Sequence, residues 1–269
     1  MTRKLYHVDQ YLTTFSSAVV ERIDVEGRPA VILEQTAFYP TSGGQPHDTG
    51  TLDNTHVIDV IENEDQQIIH LLEKPIEKDV VGGCVDWKRR FDHMQQHTGQ
   101  HVLSQAFVQI AEADTVGFHM SDDYSTLDLN NGALSDDSIA RAEALANQII
   151  FDDRPVLARF LGPDEVADLP LRKTPPAKET IRIVQVEGFD WSACGGTHVA
   201  RTGEIGLTKV VRSERRGSKT RITFFCGHRA LSHYRALNAL TRDLALDLSV
   251  GVEELPETIE RLQADARTI

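Results

Sequence analysis

Two short stretches hold most of the metal-ligating chemistry in this chain. His97-Thr98-Gly99-Gln100-His101 sets two imidazoles four residues apart. On a helix that spacing puts both rings on one face, with Cβ atoms about 5–6 Å apart, so they can share one ion. Far downstream, Cys194-Gly195-Gly196-Thr197-His198 offers a thiolate and a third imidazole. The glycine pair lets the backbone fold until both side chains point inward. Together the halves form a His₃Cys set, a mixture of nitrogen and sulfur donors suited to a tetrahedral Zn²⁺. Either half alone also arises from ordinary packing, but in a chain with only 3 cysteines their joint presence points to a metal.

Residues that are missing narrow the chemistry. Zinc peptidases of the H-E-x-x-H type carry a glutamate general base directly after the first histidine. Thr98 stands there instead, and Gln100 is no base, so that mechanism is disfavoured. His93 precedes His97 by four residues, but each such step rotates about 40° around a helix. It therefore reads as a solvated helical histidine rather than a ligand.

A second unusual stretch is Thr36-Ala37-Phe38-Tyr39-Pro40-Thr41-Ser42-Gly43-Gly44-Gln45-Pro46. Its glycines either bring backbone N–H groups close to a ligand or simply close a tight turn. A third, Lys209 to Arg221, gathers Lys209, Arg212, Arg215, Arg216, Lys219 and Arg221 against a lone Glu214. The net charge of −13 argues against a general duplex-DNA or anionic-membrane binder, so any phosphate contact must come from such a local patch. Lys88-Arg89-Arg90 adds a smaller cluster.

The elements that must position these residues can be read from periodicity. Residues 1–83 contain short β-branched runs (Ser17–Val25, Pro29–Leu33, His56–Ile61, Gln67–Leu72) separated by turn signals, which predicts a small barrel. Helical periodicity starts at Asp86, a suitable N-cap, and a second helix is expected over Ser138–Ile150. Strands are expected at Val156–Phe160, Ile181–Val186, Ile205–Val211 and Thr220–Phe225, with a loop over 169–176. Residues 84–228 thus read as an α+β layer of helices on a mostly antiparallel sheet. Beyond it, 229–269 reads as helical. Leu231, Tyr234, Leu237, Leu240, Leu244 and Leu248 form one stripe, and Val252, Leu255, Ile259, Leu262 and Ala266 a short heptad seam. Pro256 is tolerable only in that helix's first turn. The pattern stops midway at Ile269, so a longer natural protein is expected. Scattered cysteines and an N-terminus without an apolar run predict a cytoplasmic protein with no membrane partner.

The three motifs, in order, resemble a known family. Thr36-Ala37-Phe38-Tyr39-Pro40, Gly43-Gly44-Gln45 and Asp48-Thr49-Gly50 come first, then His97 to His101. Cys194 to His198 follows, with Thr202-Gly203-Glu204-Ile205-Gly206 after it. The set looks like the editing module of alanyl-tRNA synthetases, and more closely resembles the free-standing AlaX-type editing proteins, from about residue 15 to residue 228. The resemblance implies a barrel with a Gly-rich loop, a zinc-binding α+β editing domain, and hydrolysis of mischarged tRNA(Ala), chiefly the seryl and secondarily the glycyl ester. It implies that the zinc ligands are His97, His101, Cys194 and His198. The Gly-rich loop falls on Gly43, Gly44 and Gln45, and the threonine sensing the acyl side chain on Thr36. A polar pocket residue falls near Phe118-His119-Met120, with His119 its candidate. No stretch resembles an ATP-binding aminoacylation domain, so editing in trans without ATP is expected. Residues 229–269 match the start of the stalk that leads, in longer members, to a C-terminal domain; pairing of those helices would give a homodimer in the full-length protein.

On this reading Zn²⁺ either activates the attacking water or orients polar groups of the substrate. Backbone N–H groups at Gly43 and Gly44 stabilise the oxyanion, and Gln45 or His119 orients water. Thr36 rewards a hydroxyl, while Arg212, Arg215, Arg216 and Lys219 meet tRNA phosphates. Two other classes stay open: another zinc-dependent hydrolase, such as an amidase or peptidase, and a non-catalytic tRNA-binding module with a structural zinc.

Overall fold

After a two-residue strand β1 (Arg3–Lys4), β2 (Thr14–Val25) reverses through Glu26 and Gly27 into β3 (Arg28–Leu33). Both turn residues have positive φ, 54° and 79°, the two-residue loop whose twist suits paired strands. β4 (Gln35–Thr36) pairs in parallel with β1. β5 (Gly50–Leu52), β6 (Thr55–Glu62), β7 (Ile68–Leu72) and β8 (Val80–Val85) complete a closed six-stranded barrel, in the order β2-β3-β7-β6-β5-β8. Alternation fills its interior: Val81, Gly83 and Val85 of β8 are buried while Val80, Gly82 and Cys84 are exposed. The structure, a computed structural model, describes residues 1–175 and 179–268.

α1 (Trp87–Ala111) follows directly, with the Asp86 side chain accepting from the Lys88 and Arg89 backbone N–H groups. Then come β9 (Thr115–Met120), β10 (Ser125–Leu129), α2 (Asp136–Phe151), β11 (Val156–Leu161) and α3 (Pro163–Ala167). β12 (Ile181–Val186), β13 (Asp190–Ala193), β14 (Thr208–Arg216) and β15 (Lys219–Cys226) complete two antiparallel sheets, β14-β15-β10-β9 and β11-β12-β13. Leu103 and Phe107 of α1, Ala146 of α2, Leu127 and Phe224 of one sheet and Val184 of the other share one apolar core. The architecture is α+β.

Met1–Gly227 forms one compact unit. Arg90, fully buried on α1, joins its parts. Its guanidinium grips Asp48, also fully buried, through Nε at 3.0 Å and through Nη2, and donates to the Gln10 carbonyl at 2.9 Å. Arg89 is likewise engaged, by Asp122 at 2.7 Å and the His47 carbonyl at 3.0 Å. The cluster at 88–90 is therefore structural and leaves only Lys88 exposed. His93 is buried rather than solvated, because α1 is enclosed around its middle turns. The strand expected at Ile205 starts at Thr208, and Thr202–Ile205 is a 3₁₀ turn. The loop expected over 169–176 is present through Pro175; Pro176 lies outside the described residues.

From His228 onward the chain forms a second unit. It comprises most of α4 (Gly227–Asp247) and all of α5 (Leu255–Thr268), with Pro256 in the first turn, where a proline is compatible with a helix. Leu231, Tyr234, Leu237, Leu240 and Leu244 are exposed along α4. Ile269 lies outside the described residues. Among the described residues no helix is long and apolar enough to cross a membrane.

Candidate metal centre

α1 carries His97, Gln100, His101 and Ser104 at the i, i+3, i+4, i+7 positions of one helical face. The turn after β13 brings Cys194 and His198 against that face. Cys194 Sγ lies 3.4 Å from His97 Nε2 and 3.3 Å from His198 Nε2. One ligating atom from each of His97, His101, Cys194 and His198 falls within 4.8 Å of all the others. A tetrahedral ion with bonds of about 2.0–2.3 Å separates its donors by roughly 3.5 Å, so the four side chains fit one ion.

Each imidazole is held from behind. His97 Nδ1 lies 2.8 Å from Gln45 Oε1, His101 Nδ1 3.2 Å from Asp190 Oδ2, and His198 Nδ1 3.2 Å from Thr98 Oγ1. An acceptor at Nδ1 favours the Nδ1–H tautomer and turns the Nε2 lone pair toward the shared centre. The supports are themselves fixed. Gln45 Oε1 also accepts from the Thr197 N–H (3.1 Å), and its amide nitrogen donates to Thr197 Oγ1 (2.9 Å). Asp190 is gripped by Arg172 Nε at 2.6 Å and by the Ser192 hydroxyl at 3.0 Å.

The electrostatics suit ligation. Burial acts to raise the Cys194 thiol, but the neighbouring His97 and His198 rings outweigh it and hold the thiol well below its usual range. Burial pushes His198 down to about 3. For His101 burial acts downward, and the hydrogen bonds with Asp190 and Cys194 win, so its value is raised. A metal requires a thiolate and a free imidazole lone pair; the lowered Cys194 and His198 meet that requirement, while ligation through His101 would displace the proton that Asp190 and Cys194 favour there.

The turn is shaped by crowding. A Cβ at Gly196 would lie 2.2 Å from His97 Cε1, so only glycine lets the turn approach the helix. Arg182 Nη1 donates to the carbonyls of Cys194 (2.8 Å) and Gly196 (2.9 Å), and His7 Nε2 lies 2.9 Å from the Gly195 carbonyl. Three successive carbonyls thus face basic side chains, while the Gly196 N–H donates to Cys194 Sγ at 3.4 Å.

The Gly-rich loop is a two-residue hairpin. Gly43 and Gly44 take φ of 58° and 85°, and Ser42 and Gln45 exchange backbone hydrogen bonds of 3.0 and 2.9 Å. Gly44 abuts Phe118, whose ring stacks on His97 at 5.5 Å. Gly43 lines a cavity of about 350 Å³ together with Gln100, Thr115, Phe118 and three of the clustered side chains, His97, His101 and Cys194. A larger cavity of about 1060 Å³ shares Cys194 and is lined by Lys4, His7, Tyr39 and Arg182.

Other residues singled out from the sequence lie elsewhere. Thr36 is not among those lining either cavity. It is fully buried, its hydroxyl 2.8 Å from His70 Nε2 and accepting from the Phe38 N–H at 3.1 Å. His119 is exposed on β9, opposite Thr126 and near Tyr124, and from that strand Thr115, Gly117 and Phe118 reach the cavity instead. Arg212, Arg215, Arg216 and Lys219 are exposed on the β14–β15 hairpin, where Glu214 pairs with Arg212 at 2.6 Å and Arg216 at 3.3 Å. Sequence reasoning passed over Asp190 and Arg182, and it gave Thr98 and Phe118 no contact with the histidines that they touch here. A usable signal existed for Asp190: with Ser192 and Cys194 it alternates along one strand face.

Residues 181–223 match the family described as the threonyl and alanyl tRNA synthetase second additional domain, a stretch that holds Cys194 and His198. The chain is 37% identical over 281 residues to the alanyl-tRNA editing protein AlaX-L of Pyrococcus horikoshii, covering 100% of this chain and 68% of that protein. It is 34% identical over 245 residues to AlaX-M of Methanosarcina acetivorans, covering 84% of this chain and 98% of that protein. The alanine–tRNA ligase of Pyrococcus furiosus is 36% identical over 97% of this chain, which spans 30% of the ligase. Matched along its whole length by an editing protein and spanning nearly all of another, the chain belongs to the AlaX-type family of alanyl-tRNA editing proteins.

Proposed function

We propose that this protein hydrolyses the ester linking a wrong amino acid to tRNA(Ala), chiefly serine and secondarily glycine, with Zn²⁺ held by His97, His101, Cys194 and His198. The observation that carries this reading is the convergence of those four side chains on one point, three of them (His97, His101 and Cys194) lining a 350 Å³ cavity. Bound there, Zn²⁺ supplies a Lewis acid that can polarise an ester carbonyl or acidify a water. The remaining work falls to the chain. An aminoacyl ester is labile, so positioning and charge stabilisation suffice for most of the rate. Gly43 presents backbone to the cavity with nothing within 4 Å of its Cβ position, and its N–H is suited to the developing oxyanion. Gln45, with both ends of its amide engaged, serves by fixing His97 rather than by touching water. The exposed Arg212, Arg215, Arg216 and Lys219 meet tRNA phosphates, and the apolar face of α4 pairs with a second copy in a full-length protein.

The decisive measurement is release of serine from Ser-tRNA(Ala), with Ala-tRNA(Ala) and peptide substrates alongside. Seryl ester should be hydrolysed and the others spared. Tight tRNA binding without serine release would instead support a binding module with a structural ion. Zinc analysis of Cys194→Ala tests the ligand set, and the variant should lose most of its metal.

A further inference from the structure

We infer that Gln100, anchored by Ser104 and Thr115, is the group that recognises the hydroxyl of a seryl substrate. The inference rests on the deacylase reading above and adds the residue that sets its selectivity. Gln100 follows His97 by one helical turn and lines the same cavity. Its amide nitrogen donates to Ser104 Oγ at 2.8 Å, and Thr115 Oγ1, reaching across from β9, donates to the same oxygen at 2.7 Å. All three residues are at least nine-tenths buried, with 6%, 0% and 7% of their surface exposed. Two donors converging on one oxygen hold the Gln100 amide in a single orientation. Its carbonyl oxygen has no hydrogen-bond partner among the described residues, so it remains an acceptor available to whatever enters the cavity.

A seryl side chain can donate a proton to that oxygen, whereas an alanyl methyl or a glycyl hydrogen cannot. A site built to bond a hydroxyl discriminates strongly against analogues lacking one, because the buried partner is then left unpaired. Thr36 cannot play this part from its observed place, since its hydroxyl is engaged with His70 and the Phe38 N–H. The glycyl ester separates this role from the obvious alternative. An acceptor that held the α-ammonium would serve seryl and glycyl esters alike.

The test compares Ser-tRNA(Ala) and Gly-tRNA(Ala) deacylation by wild type, Gln100→Met and Thr115→Val, with zinc content measured for each. Gln100→Met should lose roughly tenfold or more of its seryl rate while glycyl turnover stays within about twofold. Thr115→Val should move the seryl-to-glycyl ratio in the same direction by less. If Gln100→Met fails to hold metal, Thr115→Val, on a different element, carries the comparison. Equal loss on both esters, or an unchanged ratio, overturns the inference. A wild type that hydrolyses neither ester overturns the deacylase reading as well, a result distinguishable from an unchanged ratio.

Discussion

His97 is fixed from three directions: Gln45 at Nδ1, the Phe118 ring on its face and Gly196 against its edge. Removing the acceptor frees the ring to rotate and to change tautomer. Gln45→Leu should weaken zinc binding by about 10–100-fold, and Asp190→Asn should do the same through His101; competition with a chromogenic chelator measures both. Gly196→Ala should be more severe, since its methyl would displace the His97 ring itself. The clustering of His97, His101, Cys194 and His198 was legible in the sequence because imidazole and thiolate carry their chemistry wherever the fold puts them. Roles that depend on a distant partner were not. Gln45 reads as a water-orienting amide until its partners, 52 and 152 residues away, are known. Thr36 reads as a sensor until His70, 34 residues away, claims its hydroxyl.

Among the elements, the Gly43–Gly44 hairpin depends on glycine at its second position. Gly44 has φ of 85°, and a Cβ there would sit 2.9 Å from the Phe118 carbonyl oxygen. Gly44→Ala should therefore destabilise the protein by about 1–3 kcal/mol, seen as a lower midpoint in urea, and should slow seryl turnover by shifting the cavity wall. The long helix was readable because its apolar period and the Asp86 cap agree. β8 was harder, for Gly82 and Gly83 break the β-branched signal; Gly83 is needed because a Cβ would meet the Phe15 ring at 2.3 Å. The β9–β10 hairpin escaped notice for a similar reason. Gly117 interrupts β9, and a register shift at Asp128 and Leu129 spoils the alternation.

For the molecule as a whole, the ion pair of Arg90 and Asp48 ties the Gly-rich loop to α1. Breaking one side of a buried pair leaves an uncompensated charge, so Asp48→Asn should cost about 3–5 kcal/mol, measurable by chemical denaturation. Acid should act through another buried group. Burial pushes His70 down to about 4 from 6.5, so between those values the unfolded chain binds a proton that the native state refuses. Stability from this group is complete above pH 6.5 and lost as pH falls toward 4, by on the order of 3 kcal/mol. Thermal melts across that window should show a shallower decline for His70→Gln than for wild type. One last consequence follows from where the ligand pairs lie. His101 and Cys194 are separated by roughly ninety residues that include the β9–β10 hairpin, α2 and the β11-β12-β13 sheet. An ion gripped from both sides would be a removable staple across that span, curbing the wandering of the denatured chain much as a covalent cross-link does. Metal starvation would then surface as shortened protein lifetime as well as lost turnover.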